Sequence, residues 1–223
     1  MRTACVRCIA AGLMLIIINA CTHRGVTSQF VRREDDKKSI HQPTSEQRLL
    51  GIYQPYSDAD IAFMTGMIPH HAQAVIMAGW APSHGGRSDV AILCARIVVG
   101  QTDEIRSMQQ WLSDRGLPVP DAVSTRMKMK MNGIEHDMLM PGMLTDEEMA
   151  ELDKAKAPEF DRLFLLGMIK HHQGAIDMVT DLFKAYGAAQ DDTIYKFASD
   201  VFADQSIEIE VMRKMLASGG DRR

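Results

Sequence analysis

Residues 63–77, FMTGMIPHHAQAVIM, return 101 positions later as FLLGMIKHHQGAIDM, residues 164–178. At that offset Asp60/Asp161, Phe63/Phe164, Gly66/Gly167, Met67/Met168, Ile68/Ile169, His70/His171, His71/His172, Ala74/Ala175 and Met77/Met178 are identical pairs. A second match follows at an offset of 104, where Gln101-x-x-Glu104-Ile105-x-x-Met108 stands against Gln205-x-x-Glu208-Ile209-x-x-Met212. A unit that occurs twice and cannot bury its apolar face alone packs against its own copy. The duplication therefore predicts approximate two-fold symmetry, with the histidine pairs facing each other or in equivalent places.

Apolar period and punctuation give each unit its shape. Ser57 with Asp60 resembles a capping box, and Ile61, Met64, Ile68, Val75 and Ile76 follow at helical spacing. The break APSHGGRSD precedes a second helix, capped by Ser88 and running to about Asp114, where Gly116 and Pro118 stop it. Residues 117–157 form a long connection in which Thr145 and Glu148 make a second capping box. Pro158 suits the first turn of a third helix and Gly187 its C-terminal cap. A fourth starts at Asp191 or Asp192 and ends before Ser218. No window reads as a strand. The expected fold is all-α: a four-helix bundle of two duplicated hairpins joined by a long crossover, over residues 55–218.

Residues 1–20 read as a signal peptide. Arg2 and Arg7 precede an apolar run from Ile9 to Ile18 that is short for a membrane span. IINAC resembles a lipoprotein cleavage box with Cys21 as the acylated residue; cleavage after Ala20 or an uncleaved anchor remain alternatives. Residues 21–54 are expected to be a flexible tether in which His23 and His41 are solvated. The chain is thus expected to be exported, bacterial and held at the cell envelope by an N-terminal lipid. Cys94 would then be the one thiol left, a pattern that avoids disulfide chemistry rather than using it. The formal net charge of −4 offers no nucleic-acid surface.

The chemistry lies in the repeat. At about 100° per residue, Phe63, Met67, His70, Ala74 and Met77 share one helix face, with His71 at its flank. Met67 and His71, one turn apart, can close on one ion, and Met168 with His172 and His171 with Met178 repeat this geometry. Thioether and imidazole together point to Cu(I) before zinc or iron. Imidazole must be neutral to bind, so affinity should fall below a pH of about 6.5. Gln101, Glu104, Gln205 and Glu208 are placed to hold the second nitrogen of each histidine, or, for the two glutamates, to bind a harder ion directly. Gly66 and Gly167 suggest close helix approach, and Pro69, present only in the first copy, predicts a kink that frees the Thr65 carbonyl.

Methionine is over-used, with 17 copies in 223 residues. Met108, Met212 and Met215 read as core. In the crossover, Met127, Met129, Met131, Met138, Met140 and Met143 surround His136, either as a mobile, solvent-accessible Cu(I) or Ag(I) capture segment or as a Met-padded loop over the bundle. Cys94 reads as a buried inert thiol with Ala198 as its counterpart, and His84 as solvated.

GMIPHHAQAVIMA, GMIKHHQGAIDM, MPGMLTDEEMAEL and the paired QxxEIxxM helices resemble the domain of unknown function 305 family over residues 55–217. The resemblance implies a ferritin-like four-helix bundle, copper binding outside the cytoplasm and copper tolerance. By position it implies the ligands Met67, His70, His71, Met77, Met168, His171, His172 and Met178. The expected function is sequestration of Cu(I) or Ag(I), or its transfer to a copper-transport partner. No catalytic residue and no organic cofactor is expected. A metal-dependent oxidase using His and Glu, with another metal, and a structural lipoprotein without metal are the alternatives.

Overall fold

The computed structural model describes residues 39–52, 54–131 and 134–219. The expected signal peptide, Cys21, His23 and the first part of the tether lie outside these. Four long helices carry the fold: α2 (Asp58–Gly79), α4 (Ser88–Asp114), α6 (Glu159–Lys184) and α7 (Asp192–Gly219). Short helices α1 (Ser45–Leu49), α3 (Ala81–His84) and α5 (Asp146–Lys154) lie between and before them. Helix α2 packs along α4 and α6 along α7, making two hairpins that meet through α2 and α6. The all-α bundle expected from the duplication is what forms.

Helix α2 explains why its pattern is weakly amphipathic. Fourteen of its 22 residues are buried, histidines included. A helix buried around most of its circumference belongs to the interior. Its start is the expected box: Ser57 Oγ accepts from Asp60 N at 3.2 Å and Asp60 Oδ2 accepts from Ser57 N at 2.7 Å. The Thr145–Glu148 box opens α5 in the same way.

The paired aspartates also tie the hairpins together. Asp60 Oδ1 accepts from Ala189 N at 2.8 Å, in the loop entering α7. Asp161 accepts from Arg87 N at 3.1 Å through both oxygens, in the loop entering α4. Each first helix thus closes the second helix of the other hairpin, and the swap marks the two-fold relation.

Several expectations need correction. Ser88 is the first helical residue rather than a cap; Arg87 is the cap, its N–H taken by Asp161. Helix α6 ends at Lys184, capped at Ala185, two residues before Gly187. Gly187 sits at φ +73°, and a Cβ there would lie 2.7 Å from Ile40 Cδ1. Ile40 belongs to the segment read as tether, whose end is folded. Strand β1 (Ile40–His41) pairs antiparallel with β2 (Tyr56–Ser57), and Thr44 and Gln47 form a capping box for α1. His41 bonds Asp58 Oδ1 at 2.6 Å and stacks on Tyr56. His84 is buried, with Nε2 at 2.7 Å from Asp153 O. The methionine-rich crossover forms a hairpin, β3 (Met127–Met131) with β4 (Ile134–Met138), in the register Met127↔Met138 and Met131↔Ile134. Met-Lys-Met-Lys-Met has period two, which is the strand period.

The crossover then lies across both histidine helices. Leu144 exchanges two bonds with Gln73 of α2, at 2.9 and 2.7 Å. On α6 the residue equivalent to Gln73 is Gly174, where a Cβ would stand 1.9 Å from Pro141 O. The repeat diverges at the position where each helix receives a different part of the crossover.

Candidate metal centre

His70, His71, His171 and His172 are all fully buried. The His70 and His171 rings face each other across the α2–α6 contact with centroids 3.8 Å apart. Each is 6.2 Å from its chain neighbour, His71 or His172. The pairs therefore meet through one member each, and the outer two point toward the second helices.

Every Nε2 is committed. His70 Nε2 is 3.0 Å from Pro141 O, and His171 Nε2 is 2.9 Å from His70 O. His71 Nε2 is 2.7 Å from Glu104 Oε2, and His172 Nε2 is 2.7 Å from Glu208 Oε2. All four partners are oxygen acceptors, so each Nε2 must carry the proton and donate. The four Nδ1 atoms are buried without a partner. Unpaired buried polar atoms are costly and call for an explanation. Here the explanation has a direction: in a neutral imidazole the unused Nδ1 carries the lone pair that binds metal.

Burial disfavours imidazolium. It pushes His70 down to about 3, with His71 adding repulsion and the Pro141 bond opposing the shift. His171 is held well below the ordinary histidine range by burial first, then by His70, His172 and His71. Both inner imidazoles stay neutral at any ordinary pH.

Glu104 and Glu208 each accept from the Nε2 of one outer histidine, His71 or His172. Gln101 and Gln205 do not bond the histidines; both are buried and their Oε1 atoms have no partner. Met67, Met77 and Met168 are fully buried and Met178 is half-buried. Among the described residues, no three His, Cys, Asp or Glu side chains come together where they could hold one ion. The four histidines therefore do not form a single cage, and a binding set here needs thioethers or fewer ligands.

The glycines serve side chains, not close helix approach. A Cβ on Gly167 would meet Leu144 Cδ2 at 3.1 Å and Met77 Cε at 3.3 Å. A Cβ on Gly66 would meet Met140 Sδ at 2.8 Å, Met127 Sδ at 3.5 Å and Met178 Cε at 3.5 Å. Met77 and Met178 thus reach across to the opposite hairpin, an exchange that single-helix spacing does not reveal. Of the crossover residues, Met143 is buried, Met127 and Met140 are half-buried, and Met138 and His136 are exposed. Met129 and Met131 lie on β3. Cys94 is buried and unpaired, its thiol pushed up to about 12 by burial first and by Asp161 second. Ala198 is buried as well.

A duplicated α-helical hairpin with paired, carboxylate-braced histidines inside defines the class: a four-helix bundle with an imidazole-lined interior. Residues 60–216 match the domain of unknown function DUF305, and the chain belongs to that family. It is similar to a DUF305 fragment from Deinococcus radiodurans, at 26% identity and TM-score 0.59, over 73% of this chain and 98% of that one. It is similar to a DUF305 protein from Streptomyces coelicolor, at 28% identity and TM-score 0.61, over 73% and 94%. It is also similar to CopM in its Cu(I)-bound form, at 26% identity and TM-score 0.54, over 71% and 96%. CopM is likewise known in an Ag-bound form, which this chain matches at 27% identity and TM-score 0.52. None of the curated proteins compared matches the chain in sequence.

Proposed function

We propose that this chain is an exported metal-binding protein that takes up Cu(I) or Ag(I) inside the bundle, for sequestration or transfer, and so contributes to copper tolerance. One observation carries the reading: four buried imidazoles have their Nε2–H groups fixed on acceptors and their Nδ1 atoms left unpartnered. The buried thioethers Met67, Met77 and Met168 stand on the same two helices. Neutral imidazole with thioether suits a soft monovalent ion, and Cu(I) accepts few ligands of this kind. Glu104 and Glu208 would balance the charge of the incoming ion through the histidines they hold. Similarity to CopM, a protein known in Cu(I)-, Cu(II)- and Ag-bound forms, supports copper or silver as the metal.

Export rests on the N-terminal segment, with Cys21 as the lipid attachment point. Among the described residues no helix is long and apolar enough to cross a membrane. The test is an anaerobic Cu(I) titration of the full chain against a competing chelator, beside a variant with His70, His71, His171 and His172 changed to Ala. The variant should lose the tightly held ions. Unchanged stoichiometry and affinity would overturn the assignment.

A further inference from the structure

We infer that the chain carries a second soft-metal site, built from thioethers alone, where the crossover hairpin lies over Gly66. Met127, at the start of β3, and Met140, just past β4, both turn their sulfurs inward. Both sulfurs lie within 3.5 Å of the single point that a Gly66 Cβ would occupy, and the Met178 methyl reaches the same point from α6. Two thioether sulfurs and the methyl end of a third methionine, from three separate segments, thus converge on a bare point of helix backbone. Thioether is a poor hydrogen-bonding group and a good ligand for Cu(I) or Ag(I). The three side chains named are thioethers, which take up no proton, so they select softness and ignore proton competition.

The twofold repeat supplies an internal control. The equivalent of Gly66 is Gly167, and the equivalent of Met178 is Met77. Met77 reaches Gly167 just as Met178 reaches Gly66. The crossover, however, puts Leu144 there, with both methyl carbons within 3.5 Å, where the first copy receives Met140 and Met127. One half is closed with hydrocarbon and the other with sulfur. Exposure differs in the same sense: Met77 is fully buried, whereas Met178 also lines an open cleft of about 260 Å³ with Ala59, Ala62, Phe63, Asp181 and Leu182. The sulfur-lined half is the one with a methionine on an open cleft, and its Met127 and Met140 are only half-buried. Gly66 stands one helical turn before His70, so the site lies at the approach to the histidine centre.

Gly66 is therefore the floor of the site. Alanine is favoured over glycine inside a helix by about 1 kcal/mol. The atom displaced by the new methyl is the Met140 sulfur at 2.8 Å, in a side chain that can swing away. Gly66→Ala should fold well and lose the site.

The choice of ion rests on the soft-metal reading of the histidine centre, but the ligands are separate. The test is anaerobic titration of the full chain with Ag(I) and with Cu(I), using the wild type, Met127→Leu/Met140→Leu, Gly66→Ala, Gly167→Ala and the four-histidine variant. Thermal melts without metal check folding, since Met and Leu exchange at little cost. The double-Leu and Gly66→Ala chains should each lose one equivalent, or bind it at least tenfold more weakly, while Gly167→Ala keeps the wild-type stoichiometry. The four-histidine variant should retain that one equivalent, with a sulfur-only ligand shell by X-ray absorption. Wild-type binding by both the double-Leu and Gly66→Ala chains would overturn the thioether site and leave the histidine centre standing. A four-histidine variant that binds as the wild type would overturn the histidine centre alone. Equal losses in Gly66→Ala and Gly167→Ala would also overturn the thioether site, because they would mean bundle distortion.

Discussion

His171 donates its Nε2–H to the main-chain oxygen of His70, 2.9 Å away on the opposite hairpin. A residue of one copy thereby has its tautomer set by the backbone of the other. His70 is treated differently, since its own Nε2 bonds Pro141 O in the crossover. That carbonyl is free of its own helix ladder because it lies in a loop. The crossover is thus part of the centre, and it breaks the symmetry that the duplication imposes.

Removing the charge of Glu104 while keeping its hydrogen-bond capacity isolates its electrostatic role. In Glu104→Gln the amide oxygen still accepts from His71 Nε2, so ring orientation survives, but the carboxylate no longer balances a bound cation. Changes of this kind typically cost 10–100-fold in metal affinity. Cu(I) affinity should fall by about tenfold in Glu104→Gln and further in Glu104→Ala, with stoichiometry unchanged in competition titrations. Glu208→Gln should match it, because the two His–Glu contacts have the same 2.7 Å length.

Gly174→Ala should be among the more damaging small substitutions in the chain. Its Cβ would lie 1.9 Å from Pro141 O and 2.7 Å from Gly142 Cα, both backbone atoms with no rotamer to adjust. Gly142 itself sits at φ +77°, so the loop has little freedom to retreat. Overpacking of this sort costs about 2 kcal/mol or more. The melting temperature should drop by roughly 4–8 °C. Hydrogen exchange should rise at residues 140–144, since the crossover must lift and His70 loses its acceptor. The same substitution at Gly66 should leave the melting temperature level or higher, so the pair separates a backbone clash from a side-chain one.

Much of this was legible in local pattern. The Ser57–Asp60 and Thr145–Glu148 boxes could be read because both partners lie within one turn. That Gln101, Glu104, Gln205 and Glu208 lie on the helices facing the histidines followed from the repeat plus the helix period. What could not be read is tertiary. Gly174 looks like a helix defect until Pro141 is placed over it, and Gly187 looks like a helix cap until Ile40 packs against it. Met77 and Met178 share a face with the histidines in a helical projection, yet their ends reach glycines of the opposite hairpin. The alternation at Met127–Met131 was in the sequence with its strand period, but short alternating runs beside long helices carry little weight until a partner strand is found. Gln101 shares a face with Glu104, and only the bundle geometry shows that the glutamate alone reaches the ring.

Cys94 should be inert in the folded protein. Its thiol is pushed up to about 12, and reaction needs the thiolate. Under native conditions at pH 8, a thiol reagent should modify it only as fast as the chain unfolds, and in denaturant at once. Cys94→Ala should cost about 1 kcal/mol and leave Cu(I) stoichiometry untouched. Loss of an ion equivalent in that variant would make Cys94 a ligand.

The apo chain should weaken in acid through the inner histidines. His70 is lowered to about 3 and His171 is lowered as well, both chiefly by burial. Above the unfolded value of about 6.5, both states are neutral and pH has no effect through these groups. Below it the unfolded chain takes up protons that the folded chain refuses, so stability falls with each further unit of pH. At pH 5 the loss through His70 is about 2 kcal/mol, and His171 adds to it in the same direction. Denaturant unfolding of the apo chain from pH 8 to pH 4 should show this decline starting near pH 6.5. A His70→Asn/His171→Asn variant should show a shallower slope over the same range, because asparagine takes up no proton. An equal slope in that variant would mean that other groups, such as paired carboxylates, account for the acid sensitivity. Loading with Ag(I) should hold the protein folded further into acid, because each ion bound only by the native state adds its binding free energy to the stability.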